Sequence, residues 1–187
     1  MKKIILAITG ASGALYAVQF LQLVRGLDVE VHGIISKAGE KVLLLEQNLA
    51  PQDLSGVSRW YAVDNFAAPM ASGSARYDAM VVLPCTMGTL AAIAGGLSMN
   101  LIHRAADVML KERRPLVLAV RETPFNRNHL RNMLAAAEAG AVICPAMPAF
   151  YHLPESLTDM ARHFAGRVAS QIGLSVPGLK EWGGSDV

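Results

Sequence analysis

The sequence predicts an α/β protein, a single three-layer domain in which helices cover both faces of a central parallel sheet. Short runs rich in Val, Ile and Leu alternate along the chain with longer segments of helical periodicity. Strands that are apolar throughout are typical of parallel sheets buried on both faces. A length of 187 residues suits one domain, residues 1–187, with a substantial core.

The first half of the chain contributes two predicted strands and two predicted helices. An apolar run predicts a strand at 3–9, and regularly spaced leucines and valines predict a helix at 13–25. A second strand is predicted at 29–35, which a helix follows at 38–49. Repeated proline and glycine then predict irregular structure over residues 50–77.

The second half of the chain continues the same alternation of apolar runs and amphipathic segments. These runs predict strands at 79–83, 116–120 and 141–143. The amphipathic segments predict helices at 87–94, 100–113, 127–138 and 154–172, before a Gly/Pro-rich tail from about residue 174.

The composition is apolar and poor in charge. Hydrophobic residues make up 52% of the chain and charged residues 17%, against about 25% charged in an average globular protein. This shortage of charge predicts surfaces buried between subunits, and therefore a homo-oligomer. A net charge of +2 argues against a nucleic-acid partner. Cys85 and Cys144 form no paired motif, so we expect a reduced, cytoplasmic protein without a metal site. No segment reaches the roughly 18 continuous apolar residues of a membrane span, so we expect none.

A glycine-containing turn, Thr9–Gly13, directly follows the first predicted strand. Glycine lets the backbone approach an anion closely, and the start of the next helix offers N–H groups and a positive dipole end. The turn therefore predicts a site for a nucleotide or flavin phosphate. Ligands of parallel sheets bind beyond the carboxyl ends of the strands. Polar clusters follow the predicted strands at Thr9–Gly13, Ser36-Lys37, Cys85–Thr89, Arg121–Thr123 and Pro145–Tyr151.

Dinucleotide and P-loop sites fit the sequence poorly. A dinucleotide fingerprint needs Gly-x-Gly-x-x-Gly and an acid after the second strand, whereas this chain has Gly10-x-x-Gly13 and Ser36-Lys37. The chain contains no Gly-Lys-Ser/Thr. What remains is a mononucleotide cradle with a second cluster at Cys85–Thr89. Ser36 and Thr86 also suit helix N-caps, so a capping role stands beside a ligand role for both.

Blocks along about 150 residues resemble the UbiX/Pad1 flavin prenyltransferases, formerly described as aromatic acid decarboxylases. The blocks are Thr9–Gly13, Ile35–Ala38, Ala71–Ser74, Pro84-Cys85-x-x-x-Thr89-Leu90, Arg104–Leu118, Arg121–Pro124, His129-Leu130, Gly140–Ile143 and Pro148–His152. Because they recur in order, the resemblance is more specific than any single motif.

The resemblance implies a Rossmann-like, flavodoxin-type fold that binds FMN without a metal and assembles into a homododecamer. It implies transfer of the dimethylallyl group of dimethylallyl phosphate to N5 and C6 of reduced FMN. It further implies a UbiD-type decarboxylase as recipient of the prenylated flavin.

The resemblance also assigns site residues. Those implied to bind FMN are Gly10, Ala11, Ser12, Ser36, Thr86, Met87, Gly88, Thr89 and Arg121. Those implied to bind dimethylallyl phosphate are Tyr151, Arg167, Arg104, Lys111, Phe66 and Trp182. Those implied to act in catalysis are Ser12, Glu46, Lys111, Arg121 and Glu122.

Arginine suits such a site because a fixed guanidinium stabilises a departing phosphate. A positioned carboxylate, Glu122, suits removal of the flavin C6 proton, although the released phosphate could serve as the base instead. Arg104 and Lys111 reach the site only if their helix faces it, for example from a neighbouring subunit. Phe66 stands where some relatives carry Trp, and Phe attracts a cation less strongly.

Several of these side chains have a simpler possible role. Lys111 also suits a cation at the end of a helix, Glu46 suits an exposed helix residue, and Trp182 suits packing on another subunit.

Two other functions remain open. An FMN-dependent cysteine decarboxylase shares the fold but carries a catalytic histidine in the stretch matching residues 50–75 and a Pro-Ala-Met-Asn turn. Here that stretch has no histidine, and the turn reads Pro145-Ala146-Met147-Pro148. A non-catalytic flavin carrier is the remaining alternative.

Overall fold

In the computed structural model, which describes residues 1–180 and 182–183, six strands alternate with six α-helices. The strands are Lys2–Ile8 (β1), Val29–Ile35 (β2), Arg59–Tyr61 (β3), Ala79–Cys85 (β4), Leu116–Val120 (β5) and Val142–Ile143 (β6). The helices are Ala14–Val24 (α1), Lys37–Gln47 (α2), Met87–Ala94 (α3), Leu101–Lys111 (α4), Arg127–Glu138 (α5) and Leu157–Gln171 (α6). Short 3₁₀ helices occupy Pro51–Asp53 and Pro69–Ala71.

All strand pairs are parallel, and the sheet order is β3-β2-β1-β4-β5-β6. The chain builds outward from β1 on one side and then returns to continue from β4 on the other. Without the short edge strand β3, this is the flavodoxin-type order, whose ligand site lies where the direction reverses. The predicted α/β class and flavodoxin-type fold are therefore confirmed, with the switch point between β1 and β4.

The prediction of irregular structure throughout 50–77 is wrong at β3. This strand is only three residues long and forms because it pairs with β2 at the sheet edge. Trp60 lies over Gly33 of β2, where a side-chain carbon would come within 2.5 Å of the indole ring. The strand forms because of its pairing with β2 and the contact between Trp60 and Gly33. Neither can be recognised from residues that are close together in the chain.

Alternation along β1 divides the core between the two faces of the sheet. Ile4, Leu6 and Ile8 pack with Phe20 of α1 and Phe164 of α6. The intervening residues of β1 pack on the opposite face, with α3 and α4. From Ile4 to Ile8, β1 is thus buried on both faces, which explains why this part of the strand is entirely apolar.

Helix boundaries follow capping residues closely. The predicted helix 154–172 begins only at Leu157, because the Ser156 hydroxyl accepts a hydrogen bond from the N–H of Asp159 at 3.0 Å and so fixes the first turn. Within the described part of the chain, no helix is long and apolar enough to cross a membrane.

Candidate active site

Thr9 joins the carboxyl ends of the two strands that flank the switch point. Its buried hydroxyl donates to the carbonyl of Pro84 at 2.7 Å and accepts from the N–H of Thr86 at 2.9 Å. These bonds hold the turn after β1 against the turn after β4. The two clusters that the sequence predicts to bind one ligand therefore lie side by side.

The turn after β1 presents backbone N–H groups at this edge. The N–H groups of Gly10, Ala11 and Ser12 make no hydrogen bond within the residues that the structure describes. Gly10 is required by packing, because a Cβ there would lie 2.5 Å from the Cβ of Ala38 at the start of α2. Gly13 has a φ of 113°, a left-handed conformation that favours glycine.

Glu46 reaches from α2 to the start of α1. One oxygen of its carboxylate accepts from the N–H of Gly13 at 2.9 Å and of Ala14 at 2.8 Å. The first N–H groups of α1 are therefore satisfied by this carboxylate, and the groups left for an anion are those of Gly10 to Ser12. Glu46 is an exposed residue of α2, as one interpretation of the sequence predicted, and it also caps α1.

The environment of Glu46 favours its ionised form. Partial burial alone would raise the pKa of this carboxyl, but the Ser12 hydroxyl, the N–H groups of Gly13 and Ala14, and the Arg121 guanidinium together hold it below its ordinary value. The charge of Arg121 therefore acts on Glu46, which binds the turn after β1.

We expect Glu46→Gln to lower the melting temperature in a pH-dependent way. A carboxyl whose pKa is depressed in the folded state stabilises the protein above its unfolded pKa of about 4.3, and this contribution disappears as pH falls through the lower folded value. The wild type should therefore melt higher than the variant near neutral pH, and the two curves should converge under strongly acidic conditions. Thermal unfolding at several pH values measures this, with exposed Glu138→Gln as control. Parallel curves at every pH would contradict the cap.

The two hydroxyls with possible capping roles do cap their helices. Ser36 accepts from the N–H of Gly39 at 3.0 Å, and Thr86 accepts from the N–H of Thr89 at 3.1 Å. Thr86 also donates to the Thr89 hydroxyl at 3.0 Å, which leaves the proton of Thr89 available. A capping serine likewise retains its own proton, so capping and ligand binding are compatible.

Gly88 keeps the start of α3 open. A Cβ at this position would meet no protein atom within 4 Å, and the residue is exposed beside the Thr86 cap. The space above it is large enough for a ligand to approach the backbone.

We expect Gly88→Ala to weaken FMN binding by about tenfold, because overpacking of a close contact costs roughly 1–3 kcal/mol. The melting temperature should stay unchanged or rise slightly, since alanine favours a helix. Flavin fluorescence titration measures the dissociation constant. Gly26→Ala, an exposed glycine whose Cβ would also meet nothing within 4 Å, is the matched control. Unchanged affinity in Gly88→Ala would place the flavin elsewhere.

Arg121 and Glu122 follow β5 at the same edge of the sheet. The N–H of Arg121 donates to the carbonyl of Cys85 at 3.1 Å, which fixes its backbone beside β4. Burial raises the pKa of Tyr16, and the Arg121 guanidinium opposes this rise. Glu122 is exposed, and its carboxylate accepts from the N–H of Thr123 at 3.1 Å.

Arg167 lies near the end of β6, and Tyr151 packs against α6. Burial raises the pKa of Cys144, which follows β6, and the Arg167 guanidinium on α6 opposes the rise. The Tyr151 hydroxyl lies 3.1 Å from Nε2 of His163. The exposed indole of Trp182 packs edge-on against the Tyr151 ring, with ring centroids 5.4 Å apart.

Arg104 and Lys111 each bind other groups of the same chain. Arg104 donates to the carbonyl of Ala71 at 2.9 Å and pairs with Asp107, while Lys111 pairs with Glu112. Lys111 ends α4 before β5 begins, whereas Arg121 follows the last residue of β5. A five-residue strand spans about 16 Å, so Lys111 is near the opposite edge of the sheet.

Phe66 lies in the turn after β3, and its side chain is 48% exposed. The sheet order places β3 two strands from β1, a separation of about 10 Å. Phe66 is thus on the correct edge but outside the cluster around Thr9.

Sequence reasoning missed two features of the site. Thr9 belongs to the predicted turn, but its role as the link between β1 and β4 depends on strand order. The stacked pair His152 and His163, with ring centroids 3.9 Å apart, has no local sequence signal because the two residues come from different elements.

Two cavities lie outside the cluster around Thr9. One of about 300 Å³ lies between α6 and the segment 176–180, and another of about 450 Å³ lies near the start of β1 and β2. In the described part of the chain, no three His, Cys, Asp or Glu side chains are grouped as metal ligands would be.

The parallel sheet, its switch point and the N–H groups beside it define a mononucleotide-binding α/β protein of the flavodoxin type. The chain belongs to the Flavoprotein family, whose model matches residues 1–161. Within that family it groups with the UbiX flavin prenyltransferases, to which it is similar over nearly its whole length.

Relatives are similar over nearly their whole length. Flavin prenyltransferase UbiX of Deinococcus radiodurans is 45% identical, covering 96% of this chain and 93% of that protein. The crystal structure of AnUbiX (PadA1) in complex with FMN and dimethylallyl pyrophosphate is 43% identical, with a TM-score of 0.95 and 98% of both chains covered. A dodecameric FMN-dependent UbiX-like decarboxylase from Escherichia coli O157:H7 is 42% identical, with a TM-score of 0.94, 97% of this chain and 100% of that chain.

Cysteine decarboxylases are more distant. A structure of PPC decarboxylase is 20% identical, with a TM-score of 0.65 over 79% of this chain and 83% of that chain. This likeness shows a shared fold and nothing about the reaction.

Proposed function

We propose that this chain is a flavin prenyltransferase, which transfers the dimethylallyl group of dimethylallyl phosphate to N5 and C6 of reduced FMN. One observation carries the proposal beyond family membership. The Thr9 hydroxyl joins two ligand-binding turns at the switch point, and a guanidinium, that of Arg121, acts on the same turn. A flavin phosphate and a second, departing phosphate both need such a donor-rich, cationic edge.

The FMN site is built from the two turns beside Thr9. The free N–H groups of Gly10, Ala11 and Ser12 suit phosphate oxygens. The hydroxyls of Ser36 and Thr89 retain protons to donate, and bare Gly88 lets the ring system approach α3. When bound in reduced form, FMN supplies the two nucleophilic atoms that take up the prenyl group.

The donor phosphate is held by cations and one phenol. We assign three residues to the departing phosphate. Arg121 follows β5, Arg167 acts on Cys144 after β6, and Tyr151 supplies the phenol. A fixed guanidinium lowers the energy of the charge that develops as the carbon–oxygen bond breaks. Arg104 and Lys111 of a neighbouring copy complete this group, because within one chain Arg104 binds the Ala71 carbonyl and Asp107, and Lys111 lies near the opposite edge.

Carboxylates handle the protons of the reaction. Glu122 accepts the proton that flavin C6 must lose, since it follows Arg121 directly and its carboxylate is exposed. Glu46 remains ionised below its ordinary pKa and orients the Ser12 hydroxyl beside the turn. Phe66 and Trp182 are exposed aromatic groups that we assign to the allylic group of the donor, with Phe66 approaching from outside the cluster around Thr9.

The chain assembles as a homo-oligomer, and we propose a dodecamer. Large apolar side chains are exposed on several elements, with Leu45 83%, Leu153 82% and Leu157 76% exposed. Such exposure favours burial against other copies, and the similar bacterial protein is dodecameric.

The product is a modified cofactor and has no use to the enzyme that makes it. We therefore propose a UbiD-type decarboxylase as its recipient, in the cytoplasm. The two free cysteines, Cys85 and Cys144, fit a reducing compartment.

The reaction itself tests the proposal. Under anaerobic conditions, reduced FMN, dimethylallyl phosphate and the protein should yield a flavin heavier by one prenyl unit, as measured by mass spectrometry of the released flavin. Parallel reactions omit the donor or replace it with dimethylallyl pyrophosphate, the ligand of the similar crystal structure. Unchanged FMN in both donor reactions, from protein with intact circular dichroism, would overturn the proposed function.

A further inference from the structure

Three groups meet beside the middle of α6: the Tyr151 hydroxyl, the His163 ring and the Lys180 carbonyl. Nε2 of His163 lies 3.1 Å from the Tyr151 hydroxyl and 3.1 Å from the carbonyl oxygen of Lys180. The Tyr151 hydroxyl lies 3.4 Å from the same carbonyl. His163 thus connects a predicted donor ligand to the segment that leads to Trp182.

The partners of the His163 ring determine where its proton lies. Nδ1 is buried and has no partner among the described residues, and a buried N–H without an acceptor is costly. A carbonyl oxygen can only accept a hydrogen bond. A proton on Nε2 therefore donates to the Lys180 carbonyl and leaves Nδ1 unprotonated in the interior, which costs less than a buried N–H without an acceptor. The same N–H can also donate to the oxygen of Tyr151. The hydroxyl proton of Tyr151 makes a long contact of 3.4 Å with the Lys180 carbonyl, and it is therefore available to a closer acceptor.

The His163 ring is held firmly in this orientation. It is 5% exposed and stacks on His152 with ring planes 12° apart. The Tyr151 ring meets it edge-on, with centroids 5.3 Å apart. On α6, His163 precedes Arg167 by four residues, so the two project from the same side of the helix.

We propose that His163 is a positioning residue that keeps the Tyr151 proton directed at the donor phosphate and ties the segment before Trp182 to that site. The inference rests on the proposed function of Tyr151 as a phosphate ligand. His163 itself touches neither substrate nor flavin.

Two polar substitutions test the position of the ring nitrogen. The amide nitrogen of glutamine reaches the place of Nε2, whereas the shorter asparagine reaches only that of Nδ1. We expect His163→Asn to raise KM for dimethylallyl phosphate roughly three- to tenfold, the worth of one hydrogen bond. kcat and the FMN dissociation constant should change less than about twofold, and His163→Gln should approach the wild type. Equal KM values for the two variants would overturn the proposal.

A double variant separates positioning from general loosening. In a Tyr151→Phe background, which lacks the hydroxyl, His163→Asn should have no further effect on KM. Additive effects would show that His163 acts by another route and would overturn the proposal.

A readout without turnover distinguishes this proposal from the proposed function. Trypsin cleaves after Lys180, whose carbonyl His163 holds, so cleavage there should be severalfold faster in His163→Asn than in His163→Gln or the wild type. Mass spectrometry of the fragments gives the rate. If the wild type transfers no prenyl group but His163→Asn is still cleaved faster than the wild type, the link between His163 and Lys180 is supported and prenyl transfer is refuted. Equal cleavage rates in His163→Asn and the wild type would refute the link.

Discussion

Arg121→Ala is expected to lower the rate of prenyl transfer by roughly 10²–10³-fold, the usual cost of losing one preorganised group that stabilises developing charge. The backbone of Arg121 is fixed to Cys85 at the end of β4. Its guanidinium acts on both Glu46 and Tyr16, so it faces the turn that we assign to FMN. Loss of the cation removes a positive charge from the turn that we assign to the flavin phosphate. Single-turnover kinetics with saturating FMN measure the effect.

Arg131→Ala is the matched control, because Arg131 is an exposed arginine on α5. It should transfer the prenyl group at the wild-type rate. A second readout is independent of turnover. Because Arg121 helps to hold the pKa of Glu46 low, Arg121→Ala should raise that pKa, which carboxyl NMR measures. A variant that binds FMN and transfers the prenyl group at the wild-type rate would remove Arg121 from the site.

Glu122→Gln is expected to lower the rate by roughly 10²–10⁴-fold, the contribution of a positioned acid–base group. Glutamine keeps the shape and the contact with Thr123 but cannot accept a proton. Glu122 is exposed at the carboxyl end of β5, where the chain gives it access to a ligand over the sheet edge. Rate measurements across pH provide the test, because the variant should lose the rise in rate that ionisation of a catalytic carboxyl produces.

Glu138→Gln, on the exposed surface of α5, controls for loss of one negative charge. If Glu122→Gln transfers the prenyl group at the wild-type rate, the released phosphate is the base and Glu122 has no role in proton transfer. FMN affinity should be similar in the two variants, since the groups that we assign to the flavin phosphate are N–H groups and hydroxyls and do not include Glu122 or Glu138.

Local patterns predicted the sheet core well. β1 and β2 each contain runs of buried apolar residues, and their bounds differ from the predicted ones by one residue at most. Ser36 and Thr86 stand at helix starts, as their capping preference predicts. These features depend on residues close together in the chain, and so the sequence displays them directly.

Long-range contacts could not be predicted in the same way. β3 exists through pairing with β2, and Glu46 caps a helix that lies 32 residues earlier. His163 meets Tyr151 only because α6 turns back over the sheet. No local period or propensity encodes such contacts.

By itself the sequence determined the α/β class, the glycine turn after β1 and, through its blocks, the resemblance to flavin prenyltransferases. Only the tertiary structure decided that the N–H groups of Gly13 and Ala14 bind Glu46, that Lys111 lies near the far edge of the sheet, and that Thr9 joins two turns. The physical reason is the range of the forces involved. Propensity and periodicity act between neighbours in the chain, whereas hydrogen bonds and charges act between neighbours in space, which only the folded sheet brings together.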